Sequence, residues 1–203
     1  MHAGLRKNAA MSFAPPPSSA TWRHEEARTG FEVVYFTQVR DSHHIEGWTA
    51  AVEDGHPWLV EYQIDVGDDW VTRSARVGNR TVDGTRATTL EADEYGRWRV
   101  NGIPAPKLDG CLDVDLESSA MTNAFPAHRL GLEVGERLSA PAAYVRALDL
   151  SIERLEQTYE RLPDEKGRKV YDYESPTFDF RCRLTYDDSG LVVSYPGIAI
   201  RTS

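Results

Sequence analysis

Hydrophobic and polar residues alternate along most of this chain. Phe31, Val33, Tyr35 and Thr37 interleave with Glu32, Val34, Phe36 and Gln38, and Trp58, Val60, Tyr62 and Ile64 interleave with Leu59, Glu61, Gln63 and Asp65. The period of two returns at Val71, Arg73, Ala75 and Val77, at Leu90, and at Trp98 and Val100. It returns again at Tyr171 and Tyr173, from Phe178 through Phe180 and Cys182 to Leu184, and at Leu191, Val193 and Tyr195. A strand sends successive side chains to opposite faces, so these runs predict half-buried strands. They are rich in tyrosine, tryptophan, valine and threonine, which suit a pleated surface. Turns of Gly, Asp and Asn divide them at intervals of about ten residues, which points to an antiparallel all-β fold.

Two turns look alike: Asp93 and Gly96 close one hairpin, Asp187 and Gly190 another. Shared turn chemistry accounts for this better than an internal repeat. Segment 144–162 is ambiguous. Tyr144, Leu148, Leu150 and Ile152 fit a strand, whereas Ile152, Leu155, Tyr159 and Leu162 fit a helical stripe equally well.

Residues 108–130, LDGCLDVDLESSAMTNAFPAHRL, carry the most chemistry. Strict alternation puts Leu112, Val114 and Leu116 on one face, predicted to be buried, and Cys111, Asp113, Asp115 and Glu117 on the other. Adjacent acids on one strand face repel unless something opposes them. Arg73, Arg97, Arg99 and Arg129 are available to pair with Asp113 and Asp115. The two aspartates also fit ligand binding, or acid–base catalysis, since close carboxylates push one pKa up.

The chain has 203 residues, 40% hydrophobic and 27% charged, as expected of one globular domain over 21–203. Residues 1–20, with three consecutive prolines, read as a flexible tail. A net charge of −9 opposes non-specific nucleic-acid binding, so no nucleic-acid partner is expected. No apolar run is long enough for a transmembrane helix, and no secretion signal is visible, so the expected location is cytoplasmic. Cys111 and Cys182 are too few for a disulfide scaffold and are read as buried free thiols. Metal-ligand spacings, nucleophile elbows and phosphate loops are not found, so no metal, cofactor or catalytic residue is assigned.

The motifs LDGCLDVDL, TNAFPAHRL and YPGIAIR, with YQIDVGDDWVTRSARV and DEYGRWRVNG upstream, resemble the bacterial family called putative glycolipid-binding proteins. The resemblance runs from about Trp22 to Arg201. It implies a curved antiparallel sheet forming a spiral β-roll or half-barrel, related to LolA-like lipoprotein carriers. It also implies a small amphiphile or glycolipid as partner.

Five tryptophans and nine tyrosines supply rings of the kind that line sugar and amphiphile sites. The expected ligand-binding residues are Trp70, Trp98, Asp113, Asp115, Asn123, Arg129 and Tyr195, converging on the concave side of the sheet. Two other readings remain: an enzyme using Asp113, Asp115 and Arg129, or an interaction module pairing through exposed strand edges. The oligomeric state is left open.

Overall fold

A computed structural model describes residues 13–26 and 28–203. The first arm of the molecule comprises β1 (Ser19–His24), β2 (Thr29–Gln38), β3 (Ser42–Glu53) and β4 (His56–Gly67). It continues with β5 (Thr72–Thr81), β6 (Gly84–Ala92), β7 (Trp98–Val100) and β8 (Ile103–Pro104). A connecting segment holds β9 (Asp113–Leu116), α1 (Ala124–Leu130), β10 (Arg137–Ser139), β11 (Ala142–Val145) and β12 (Ile152–Leu155). The second arm comprises β13 (Thr158–Glu165), β14 (Arg168–Ser175), β15 (Phe180–Tyr186), β16 (Val192–Tyr195) and β17 (Ala199–Arg201).

Fourteen strands form one open antiparallel sheet in the order β10-β13-β14-β15-β16-β17-β1-β2-β3-β4-β5-β6-β7-β8. The two arms join where β17 pairs with β1, Trp22 opposite Arg201. Both arms bond to the same segment from their inner faces. Thr49 Oγ1 donates to the Ser118 carbonyl and the Val114 amide donates to Thr72 Oγ1, while Tyr186 on the other arm donates to the Asn123 carbonyl. The sheet therefore wraps around residues 112–130 as a half-barrel around a plug. This is the mainly antiparallel β architecture read from the sequence, with helix limited to short pieces.

One pair departs from the antiparallel pattern. The small sheet β12-β11-β9 holds a parallel pairing of β9 with β11, Asp115 opposite Tyr144. The ambiguous segment 144–162 contains strand and no helix. Tyr159 sits opposite Tyr173 in the β13–β14 ladder, and that lateral pairing overrides the helical stripe.

The inner face of the first arm buries Trp22, Val34, Ile45, Val60, Ile64, Val77, Leu90 and Trp98. One glycine there is needed for its lack of a side chain. Gly47 lies opposite Tyr62, and a Cβ on it would stand 2.1 Å from the tyrosine ring. The ring crosses that gap so that its hydroxyl can reach Glu32. The outer face of β2–β4 is less polar than alternation alone requires, exposing Phe31, Tyr35, Trp48, Val52 and Leu59.

Of the segment read as a tail, residues 1–12 lie outside the described residues. Phe13 packs its ring on His128, and Ser19 and Ala20 already belong to β1. Both cysteines are free thiols, Cys111 buried and Cys182 half-buried. Burial pushes them up to about 11 and about 12, so neither is a ready nucleophile.

Candidate functional site

Alternation around β9 takes a form the sequence did not disclose, because the plug is enclosed on both faces. Val114 and Leu116 are buried as expected, but Leu112 is only half-buried, since it precedes the strand. Asp113 is 1% exposed and Asp115 8%. Asp113 accepts a bidentate pair from Arg129, 3.0 Å from Nε and 2.5 Å from a terminal nitrogen. α1 delivers that guanidinium, and Gly131, in the left-handed region at φ 54°, ends the helix just beyond it. The other arginines bond elsewhere: Arg73 to Asp69, Arg97 to Asp93, Arg99 to the Gly102 carbonyl.

Among the described residues, no arginine bonds Asp115. It accepts from Thr122 Oγ1 at 2.7 Å. Burial pushes its pKa up to about 6, with the charge of Asp113 adding to the rise. Glu117 is held by Arg146 at 3.3 Å and by the Ala147 amide at 2.8 Å.

Beside Asp115 opens a pocket of about 240 Å³ between the plug and the second arm. Asp115, Glu117, Ser119 and Asn123 line it from the plug, and Tyr173, Phe180 and Tyr195 from the second arm. Arg28, Tyr144, Arg146, Phe178 and Ile198 complete the wall. The Tyr144 and Phe178 rings meet at 5.4 Å, and Arg146 lies over both at 5.3 and 5.1 Å. Asn123 is fixed because its side-chain oxygen accepts the Tyr159 hydroxyl at 2.9 Å.

Three of the residues singled out from the sequence, Asp115, Asn123 and Tyr195, therefore meet in one pocket. Asp113 and Arg129 form a buried pair that braces the plug outside it. Trp70 is stacked between His43 at 4.7 Å and His128 at 3.7 Å, at a positive φ of 59° that is uncommon for a bulky residue. Its neighbour His128 donates to the Ser189 carbonyl and is pushed down to about 3 by burial. Trp98 is core, donating to the Cys111 carbonyl at 3.0 Å, with its edge against a separate surface depression between β6 and β8.

Sequence reading missed Arg28, Tyr144, Arg146, Tyr173, Phe178 and Phe180 as site residues. Phe178 and Phe180 were visible as strand alternation, but Phe178 lies in a short turn after β14 and swings toward the plug.

One buried group behind the site also escaped notice. Glu32 is fully buried in β2 and accepts from Tyr62 at 2.6 Å, from Ser119 Oγ, and from the Ala120 amide at 2.8 Å. Burial raises its pKa. The Ser119 and Ala120 donors tie the first arm to the turn that follows β9, while Tyr62 bonds Glu32 within the arm.

The molecule is thus a plugged, open antiparallel half-barrel with an aromatic-walled polar pocket. The family model described as Putative glycolipid-binding matches residues 19–201, and the chain belongs to that family. The chain is similar to a crystal structure of a DUF1089 family protein from Pseudomonas aeruginosa. The two share 30% identity at a TM-score of 0.71, over 100% of this chain and 98% of the other. It also matches a β-barrel-like protein of domain of unknown function DUF1849 from Brucella abortus. That match has 14% identity and a TM-score of 0.47, over 94% of this chain and 96% of the other. No curated protein matches it. Among the described residues, no helix is long and apolar enough to cross a membrane, and no cluster of His, Cys, Asp and Glu fits a metal ion.

Proposed function

We propose that the protein binds an amphiphile through its headgroup, seated in the pocket of Asp115, Asn123 and Tyr195. The observation that carries this is the make-up of the wall: Tyr144, Phe178, Phe180 and Tyr195 offer ring surface beside Arg28, Arg146, Asp115 and Glu117. Rings stack on the apolar face of a sugar while charged and amide groups bond its hydroxyls. At about 240 Å³ the pocket falls below the roughly 300–1,000 Å³ of pockets that enclose whole drug-sized ligands. A sugar ring or headgroup fits it, with the acyl chain left outside. The family description supports the same reading.

Partnering through strand edges is disfavoured. The edges of the large sheet are β8, two residues long and ending in Pro104, and β10, three residues long, and such edges resist pairing.

The test is calorimetric titration with short-chain alkyl glycosides, together with native mass spectrometry of freshly purified protein. Saturable binding that Tyr195→Ala weakens about tenfold or more is expected. Absence of binding at solubility-limited ligand overturns the proposal. An enzyme reading has one favouring observation, the raised pKa of Asp115 in the pocket. It requires the bound glycoside to be chemically changed on incubation and Asp115→Asn to stop that change.

A further inference from the structure

Among the described residues, six buried side-chain polar atoms have no hydrogen-bond partner. Four of them are nitrogens on Arg28 and two residues near it: Nδ1 and Nε2 of His24, whose ring also faces the Ile198 backbone, Nε of Arg28 and Nε1 of Trp58. The other two, on Asn79 and Ser175, are oxygens. Arg28 links the group. Its guanidinium lies 5.2 Å from the centre of the Trp58 ring, and its charge helps hold His24 neutral, burial being the larger cause, at a pKa of about 4. His24 and Arg28 are only 4% and 8% exposed.

Arg28 also lines the pocket, and its charge there is poorly matched. One terminal nitrogen donates to the Glu117 backbone carbonyl at 3.1 Å. Glu53 forms a loose ion pair with Arg28, an oxygen 3.8 Å from Nε, but too far to accept a hydrogen bond. The Glu117 carboxylate is engaged by Arg146 and the Ala147 amide. Asp115 shares the pocket but bonds Thr122. A buried cation with an idle N–H, backed by further unmatched nitrogens, is an arrangement that an incoming anion completes.

Building on the headgroup reading of the pocket, we infer that the ligand carries an oxyanion, a phosphate ester or carboxylate, that docks on Arg28 with Trp58 and His24 behind it. The planar guanidinium fork suits two oxygens of such a group. Trp58 is not part of the pocket lining, but its ring lies under the guanidinium, so it reports on what Arg28 binds. The ligand class is thus an acidic amphiphile rather than a neutral glycolipid.

The experiment titrates the full-length protein with n-hexyl phosphate, n-hexyl β-glucoside and inorganic phosphate. Calorimetry gives affinity, and the NMR resonances of Arg28 Nε–H and Trp58 Nε1–H report on the seat. The expected result is that hexyl phosphate binds about tenfold or more tightly than hexyl glucoside and shifts both resonances. Arg28→Gln should erase the preference, weakening hexyl phosphate about tenfold more than it weakens hexyl glucoside, and Trp58→Phe should reduce the preference severalfold. Inorganic phosphate binding as tightly as hexyl phosphate assigns the seat to a free ion, and weaker binding assigns it to a lipid-like headgroup. Equal affinities for the two hexyl compounds, with neither resonance moving, overturn the oxyanion seat and leave the headgroup pocket standing. Binding of neither hexyl compound overturns both. If Arg28→Gln does not fold, the resonances of the unaltered protein decide.

Discussion

The two arms of the sheet enclose the same plug with different chemistry. The first arm presents Trp22, Ile45, Val60, Ile64, Leu90 and Trp98, and the Trp22 and Trp98 indoles bond backbone carbonyls, Trp22 reaching Val192 at 2.7 Å. The second presents Tyr159, Tyr171, Tyr173 and Tyr186, all buried. Their hydroxyls point at polar partners: Tyr159 at Asn123, Tyr173 at Gln157, Tyr186 at the Asn123 carbonyl. An apolar arm gains most by closing tightly on what it covers. A tyrosine arm keeps polar groups in its interior, and those groups need partners. The pocket opens on the tyrosine side for that reason. One arm serves as scaffold and the other as wall of the site.

The sharpest test of this division is to remove a ring from the scaffold. Trp98→Ala should cost about 3–5 kcal/mol, read as a shift in the urea midpoint. Alkyl glycoside affinity of the molecules that remain folded should not change. Arg129→Ala should cost a similar amount, about 3–5 kcal/mol, because it leaves Asp113 buried without its cation. A loss of under about 1 kcal/mol for either would mean that the plug is held by the second arm alone.

Next in size is Asp115, the acid on the boundary between scaffold and wall. Its pKa is raised from 3.8 to about 6, so the folded protein holds that proton more tightly than the unfolded chain. The stability this contributes is fully present below about pH 3.8 and is lost as pH rises through about 6. His24 and His128, lowered to about 4 and about 3, act in the opposite sense. Their contribution is present above 6.5 and is lost as pH falls. Comparing wild type with Asp115→Asn cancels the histidines. The variant should gain on the order of 1–3 kcal/mol above pH 7 and nothing below pH 4. A constant difference across the range would show that folding leaves the Asp115 pKa where it is in the unfolded chain.

Much of the scaffold was legible in the sequence, and the wall was not. Alternation in β4 gave a face that the structure keeps, because one side of that strand meets the core and the other meets water. In β2 it is Glu32 and Val34 that are buried while Phe31 and Tyr35 are exposed, and in β5 Arg73 is exposed although Ala75 and Val77 are buried. Around Asp113 and Asp115 the same rule gave half an answer. β9 is covered on both sides, so its acids are buried rather than merely turned away from Val114 and Leu116. The Asp113–Arg129 pair could be anticipated because both residues lie in one motif. Arg28, Arg146 and Phe178 reach the pocket from separate parts of the chain, and no local spacing announces that convergence. Surplus tryptophan was read as ligand chemistry, whereas Trp22 and Trp98 are buried in the core.

Smaller effects separate a tyrosine that braces the plug from one that faces the ligand. Tyr159→Phe removes the donor to Asn123 while keeping the ring. It should cost about 1–2 kcal/mol, because the Asn123 oxygen is left buried without its bond. Since Asn123 lines the pocket, glycoside affinity should fall modestly as well.

Tyr195→Phe should have the smallest effect on stability. Tyr195 is half-buried on β16 and lines the pocket, its ring meeting Tyr173 at 6.0 Å and Phe180 at 6.1 Å. Phenylalanine keeps those ring contacts and gives up only the hydroxyl, so the urea midpoint should move by less than about 0.5 kcal/mol. Affinity should respond more. A neutral hydrogen bond to a ligand hydroxyl is worth about 0.5–1.5 kcal/mol, or roughly two- to tenfold in Kd. A loss in affinity without a loss in stability would place Tyr195 on the ligand-facing wall. The reverse pattern, a stability loss with unchanged affinity, would make it a bracing tyrosine like Tyr159 and move the ligand away from β16.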